Sequence, residues 1–205
     1  MTLSPKISIV VPIHASMQNG EYFLWRLVQS VMSQTFKDYE LIIVQEGKMA
    51  HNTNMGLERA RGDLIKILYM DDYFAHEKAL ERIVERFTGH WMATGCIHQR
   101  YAPDYYEDPH SPHLPEYTTD ISTGNNRIGS PSVITLKNDG HLLFDEKLSW
   151  LLDCDLYKRY YEMYGPPTIL NDFNVIIGIH DGQTSTIMSQ KEKLKEHNYL
   201  KEKYA

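Results

Sequence analysis

Arg61-Gly-Asp-Leu-Ile-Lys-Ile-Leu-Tyr-Met-Asp-Asp-Tyr73 is the stretch on which the reading of this chain turns. Leu64, Ile65, Ile67 and Leu68 make a short apolar run, the pattern of a buried strand, and the run stops at two adjacent acids, Asp71 and Asp72. In an α/β sheet the ligand crevice lies outside the carboxyl ends of the strands. Two carboxylates there suit a hard divalent cation, and such a cation suits a diphosphate. The competing local reading is an N-cap for a following helix.

Working outward, the same alternation recurs on both sides. Ile7 to Ile13 is a continuous apolar run and reads as a buried parallel strand. A polar loop from Ala15 to Gly20 follows, then Leu24, Leu27, Val28 and Val31 at the spacing of one helical face. Glu40 to Val44 reads as a second strand, and Asn54 to Ala60 as a helix stopped near Gly62. Beyond the two acids, Leu80, Ile83, Val84 and Phe87 mark another amphipathic helix, with a strand around Trp91 to His98. Strand and helix in regular alternation imply a doubly wound, mostly parallel sheet flanked by helices.

The second half is less regular. Tyr101 to Asn126 is rich in Pro, Tyr, His and acids, and a loop of that length in a compact domain is usually functional or disordered. Ser132 to Leu136 reads as a strand, Leu148 to Tyr164 as a helix ended by Gly165-Pro166-Pro167, and Val175 to Ile179 as a last strand. The tail from Ser189 reads as a polar, solvated helix, with five lysines against three glutamates between Lys191 and Lys203. One domain is expected: residues 1–100 as a nucleotide half, 101–188 as an acceptor and base half, and 189–205 as a helical tail.

The bulk numbers narrow the function classes. With 205 residues the chain can bury one proper core, and 42% hydrophobic with 23% charged residues is ordinary for a globular protein. A net charge of -6 argues against a surface built for non-specific DNA or anionic lipid. No apolar run approaches the roughly 18 residues of a membrane span, and no signal peptide precedes the first strand. Cys96 and Cys154 lack metal-ligand spacing and read as reduced thiols, so a cytoplasmic protein is expected. His98, His110 and His113 lack Cys partners and tight spacing, which speaks against zinc.

Several segments resemble family 2 glycosyltransferases of the GT-A fold. Ile7 to His14 resembles the opening strand of that family, and Leu27 to Glu40, with Ser30-Val-Met-Ser-Gln-Thr-Phe36, its first helix and turn. Asn54 to Gly62 resembles the helix that leads into the metal strand, and Gly129-Ser-Pro-Ser132 the segment that meets donor and acceptor. Phe144-Asp-Glu-Lys-Leu148 followed by Asp153-Cys-Asp-Leu-Tyr-Lys-Arg159 resembles the catalytic-base helix, and His180-Asp-Gly-Gln-Thr-Ser185 the late metal-ligand turn. Each is weak alone; their order along nearly the whole chain is specific.

The resemblance implies an inverting transferase that moves a sugar from a nucleoside-diphosphate sugar, UDP-sugar favoured, to an acceptor hydroxyl. It implies Mn²⁺ or Mg²⁺ held by Asp71, Asp72 and His180, and Asp153 as the general base. Such a base is needed because an acceptor hydroxyl has a pKa far above neutrality. The family usually pairs that base with a preceding acid, and here the preceding residue is Leu152. Asp155 lies about 200° around the helix from Asp153, so the two cannot share one pocket; Arg159 is expected in a structural ion pair. Pro12, His14, Gln45, Glu46, Asn54, Tyr69, Met70 and Asp71 are the implied donor contacts. Gln45-Glu46 stands where the family usually carries two acids, which puts uracil readout in doubt. Tyr69 stands where an acid often appears, and packs near the ribose or fills core.

Tyr101, Tyr105, Tyr106 and Tyr117 offer faces for stacking an acceptor or pin their loop to the body. The acceptor stays open among a glycan, a lipid carrier, a protein and a hydroxymethylated base of viral DNA, with carbohydrate favoured. The oligomeric state stays open too. A rival reading is a non-catalytic sugar-nucleotide-binding module, fed by the departures at Gln45, Glu46 and Leu152. Dinucleotide and P-loop chemistry are disfavoured, because neither glycine-rich phosphate loop is present.

Overall fold

The structure, a computed structural model, describes residues 4–14, 17, 19–102, 105–140 and 142–205. Its elements in chain order are β1 (Ile7–Pro12), α1 (Gly20–Met32), β2 (Tyr39–Val44), α2 (Met49–Arg59), β3 (Leu64–Ile67), β4 (Tyr73–Phe74) and α3 (Ala79–Arg86). Then come β5 (Trp91–Ala102), β6 (Tyr105–Tyr106), β7 (His110–His113), β8 (Ile134–Lys137), α4 (Leu152–Tyr164), β9 (Thr168–Ile179), α5 (Thr184–Ile187) and α6 (Gln190–Lys203).

One sheet in the order β2-β1-β3-β8-β5-β9-β4 carries the molecule. β1 pairs in parallel with β2 and β3, as the buried apolar runs require. The sheet then departs from a purely parallel order. β8 inserts between β3 and β5, antiparallel to both, while β9 lies parallel to β5. Gly56 lets α2 lie directly on β1, since a Cβ there would stand 2.2 Å from Val10 Cγ1.

The core joins the two halves: Ile9, Val11, Leu27, Ile65 and Leu68 pack in one continuous cluster with Trp91, Leu156, Tyr157 and Tyr160. Cys96 and Cys154 are free and buried. No helix among the described residues is long and apolar enough to cross a membrane.

Several expected boundaries move. α2 begins at Met49 rather than at Asn54, and α4 begins at Leu152 rather than at Leu148. No helix follows Asp71 and Asp72; β4 does, so the pair caps nothing. The long stretch from Tyr101 carries two short strands, β6 and β7, folded back on β5. His98 and His110 face each other in that ladder, and His113 Nε2 lies 2.8 Å from the Arg127 carbonyl, so the three histidines are ladder residues. Tyr117 stacks on Tyr161 with centroids 3.8 Å apart and Tyr101 stacks on Tyr22 at 5.4 Å, so both pin the loop. The side chains of Tyr105 and Tyr106, and Ala15, Ser16 and Gln18 of the first loop, lie outside the described residues.

Candidate active site

The carboxyl ends of β1, β2 and β3 open on two adjoining cavities. One, of about 520 Å³, is lined by Ile13, His14, Gly20, Glu21, Gln45 and Met70, among others. The other, of about 510 Å³, is lined by Tyr69, Asp71, Asn126, Trp150, Asp153 and Gln183, among others, with Ser130 and Ile187 also in its lining. His14 and Met17 border both, so the cavities form one continuous cleft.

The diacid edge is set by the backbone. Tyr69 N–H donates to Ser132 Oγ at 2.8 Å, and Asp72 N–H closes a turn on the Tyr69 carbonyl at 2.9 Å. Arg26 reaches across from α1 and donates to the Asp71 carbonyl at 2.5 Å. β9 passes so close that a Cβ on Gly178 would stand 2.3 Å from that same carbonyl oxygen, and only glycine fits. The close pass lets Gly178 N–H donate to Asp72 Oδ1 at 2.9 Å. It also delivers His180, whose Nε2 lies 3.2 Å from Asp71 Oδ2, both residues being largely buried.

The two neighbouring acids therefore differ. Asp71 lines the cleft. Asp72 is 3% exposed and turned inward, its second oxygen accepting from Ser130 Oγ at 3.3 Å. Burial, and then the charge of Asp71, push the Asp72 carboxyl up to about 8. Beneath it lies Lys66, fully buried in β3, which donates to the Ser132 carbonyl and, at 3.2 Å, to the Ile134 carbonyl. Burial pulls the Lys66 ammonium down to about 7, against the pull of Asp72.

The expected metal set thus meets in part: Asp71 and His180 come together, and Asp72 is engaged with Gly178 and Ser130. Among the described residues no group of three His, Cys, Asp or Glu side chains converges as a metal cage. That arrangement fits a cation of the Mg²⁺ type, which takes one or two carboxylates and completes its shell with phosphate oxygens and water. Gly182 N–H lies 3.2 Å from His180 Nδ1, and it is Nε2 that faces Asp71 Oδ2.

Asp153 stands in the first turn of α4. Its Oδ1 accepts from Cys154 N–H and its Oδ2 from Asn126 Nδ2, both at 2.7 Å. Asn126 cannot turn its amide over, because its Oδ1 already accepts from the N–H groups of Ile128 (2.9 Å) and Gly129 (3.1 Å). Burial pushes the Asp153 carboxyl up to about 6 despite these donors. Asp155 is wholly buried on another side of the helix, where Arg159 Nη2 and Lys203 Nζ lie 2.7 and 2.6 Å away.

Of the expected donor contacts, His14, Gln45, Tyr69, Met70 and Asp71 line the cleft. Pro12, Glu46 and Asn54 do not. Pro12 is buried in β1. Glu46 pairs with Arg59 at 2.5 Å. Asn54 Nδ2 donates to the Phe144 carbonyl at 3.0 Å and its Oδ1 accepts from Phe144 N–H at 2.8 Å, so it ties α2 to the loop before α4. Reasoning from sequence missed Asn126 and Trp150 in the cleft lining, while Ser130 belongs to the Gly129–Ser132 segment that the resemblance placed there. It also missed Asn52, which donates to the Ile13 carbonyl at 2.8 Å and accepts from Gly47 N–H at 2.7 Å, pinning the β2–α2 loop against β1. Only the local Asn-x-x-Gly pattern of residues 126–129, an Asx-turn signature, could have pointed to Asn126.

No family model matches the chain. It is 26% identical over 126 residues to an uncharacterised glycosyltransferase of Haemophilus influenzae, covering 48% of this chain and 48% of that protein. It is 24% identical over 233 residues to another from Rickettsia typhi, covering 94% of this chain and 70% of that one. Among solved structures, S. aureus TarS 1–349 in complex with UDP-GlcNAc superposes with a TM-score of 0.63 at 17% identity, over 94% of this chain and 64% of that one. The mannosyltransferase PcManGT of Pyrobaculum calidifontis, in complex with GDP-Man and Mn²⁺, superposes at 0.58 and 12% identity, over all of this chain and 66% of that one. The chain has the GT-A fold of these glycosyltransferases, and its sequence relatives carry the same name. It spans about half the length of the Haemophilus relative.

Proposed function

We propose that the chain is an inverting, divalent-metal-dependent glycosyltransferase that moves a sugar from a nucleoside-diphosphate sugar to an acceptor hydroxyl. The observation that carries the reading is one cleft at the strand ends whose wall holds both Asp71 and Asp153. Residues 1–100 serve the donor and 101–188 the acceptor and base, within one domain acting on donors of the cytoplasm. The TarS complex with UDP-GlcNAc and the mannosyltransferase complex with GDP-Man and Mn²⁺ support a nucleotide-sugar donor and a metal.

In this reading the cavity beside Gln45 and His14 takes base and ribose. The Gln45 amide both donates and accepts, so it can read a uracil edge. Asp71 and His180 would hold the divalent cation, which compensates the charge of the departing diphosphate without proton transfer. Asp153, kept in place by Asn126, takes the proton of the acceptor hydroxyl as the new glycosidic bond forms. Its carboxyl near 6 is ionised at neutral pH and still basic enough to share a proton in the transition state. One base and no covalent nucleophile give inversion at the anomeric carbon. Trp150 and Ile187 line the same cavity as Asp153 and would meet the acceptor.

The test is thermal unfolding with UDP, GDP, CDP and their sugars, each with Mn²⁺ or with EDTA. A ligand of the native state raises the midpoint by mass action, about 2.7 kcal/mol at a hundredfold excess over Kd. A rise for one nucleotide that EDTA removes is the expected result. No rise with any of them counts against the reading.

A further inference from the structure

The tail expected to be a solvated helix is instead built into the base. α6 is capped at its own start by Ser189 and Glu192, but its middle turns inward, and Glu196 and Leu200 are buried. Glu196 faces the chain just before α4. Its Oε1 accepts from Ser149 N–H at 2.8 Å, and its Oε2 from the N–H groups of Trp150 and Leu151, each at 2.9 Å. These are the peptide groups of the α4 N-cap residue and of the two residues before it, none of which has a helical partner for its N–H. Leu151, the N-cap residue, offers no side-chain cap of its own. The Leu151 carbonyl in turn accepts the first helical bond, from Asp155 N–H at 3.1 Å. Asp153 lies two residues beyond the last peptide group that Glu196 holds.

Other α6 contacts anchor the same region from a different side. Lys203 Nζ reaches Asp145 Oδ2 at 2.7 Å, Tyr199 OH donates to Asp145 Oδ2 at 2.7 Å, and Tyr204 OH donates to Asp155 Oδ1 at 2.6 Å. They act on the loop before α4 and on its far face. Glu196 holds the backbone that leads into Asp153, while two other α6 residues meet the Trp150 ring: His197 edge-on at 5.3 Å and Lys193 Nζ at 5.1 Å.

We propose that Glu196 is a positioning residue for Asp153: by holding the N–H groups of Ser149, Trp150 and Leu151 it fixes the first turn of α4, and with it the place of the base in the cleft. The inference rests on the reading of Asp153 as that base. A pure stability role would leave Asp153 in the same surroundings within every molecule that stays folded. A positioning role would not, because a loosened first turn admits water to a carboxyl now faced by Tyr69, Tyr157, Cys154 and the Asn126 amide.

The experiment compares wild type, Glu196→Ala and Glu196→Gln by amide exchange, by carbon-detected titration of the Asp153 carboxyl, and by release of UDP from UDP-GlcNAc with Mn²⁺, water standing in for the acceptor. In folded Glu196→Ala, exchange at Ser149, Trp150 and Leu151 speeds up tenfold or more, on the order of a lost buried bond. The Asp153 midpoint falls from about 6 toward the ordinary aspartate value of about 4. UDP release slows by about tenfold or more at unchanged KM for UDP-GlcNAc, as misplacement of a reacting group does. Glu196→Gln, which keeps the length and one carbonyl acceptor, falls between the two and serves if the alanine variant does not fold. A folded variant with a lower Tm but an unchanged Asp153 midpoint overturns the proposal, whether or not the wild type releases UDP. Asp153→Asn separates the two ideas: release of UDP from it at the wild-type rate sinks the base reading and leaves the exchange result standing on its own.

Discussion

The diacid edge and the base of the cleft are held in opposite ways. Asp71 follows a buried parallel strand, and its place is set mainly by backbone, the β3 run and the close pass of Gly178, with one side chain, Arg26, added on its carbonyl. Asp153 stands at the start of a helix without a local cap, and its place follows from side chains brought from afar. Asn126 comes from 27 residues upstream, and Glu196 bonds the backbone at Leu151 from 45 residues downstream of it. A site element fixed by strand order tolerates side-chain change around it; one fixed by long-range polar contacts does not.

The largest expected effect tests the base side. Asp153→Asn should slow UDP release from UDP-GlcNAc by about 10²- to 10⁴-fold, the usual worth of a general base, with donor affinity by calorimetry unchanged. A loss of binding without a loss of turnover would reverse the assigned roles of the two ends of the cleft.

Next comes the contrast within the acid pair. Asp71→Asn should weaken Mn²⁺-dependent UDP binding by about tenfold or more, in line with losing a charged ligand of the metal. Asp72→Asn should leave that binding within about threefold, because its carbonyl oxygen can still accept from Gly178 N–H and its loss of charge relieves burial. Equal losses from the two would mean that Asp72 turns outward when donor binds.

Asn126→Ala should act through pH. Asp153 is an acid whose folded pKa is raised, so its proton is held more tightly in the folded than in the unfolded chain. Its contribution to stability is therefore full below the unfolded value near 4 and is lost as pH rises through about 6. Turnover runs the other way and rises with pH through about 6, as the base ionises. Removing the Asn126 donor, which favours the charged form, should move that rise to higher pH. A rise that stays in place would show that Asn126 does not hold the base in solution.

The smallest effect is on the backbone side. Gly178→Ala drives a methyl into the Asp71 carbonyl, and overpacking of that kind costs about 1–3 kcal/mol, read as a lower midpoint in thermal unfolding. Stability unchanged within error would show that β9 can give way, and the edge would be softer than its contacts suggest.

The strands β1, β2 and β3, the face of α1 and the two acids after β3 were all legible in the chain, because apolar periodicity is a local signal and the acids follow directly on a strand. The antiparallel insertion of β8 was not, since a four-residue run carries no sign of which neighbours it will find. Within the cleft, Asp71 was found by its place after a strand, and His14 and Tyr69 by the family resemblance. Glu46 and Asn54 were expected there and are engaged elsewhere, by Arg59 and by Phe144, partners that no spacing rule connects to them.

The sequence by itself determined an α/β sheet with an acidic edge at its strand ends and, through the family resemblance, Asp153 on the late helix. Which acid of the pair faces the cleft, what steadies Asp153, and that a lysine-rich tail serves as a clamp were decided only by the tertiary structure. The physical reason is range. Hydrophobic patterning repeats every two or 3.6 residues and shows in any short window. A buried polar group must instead find a partner wherever the packed chain supplies one, and for Asp153 and Glu196 that partner is far along the sequence.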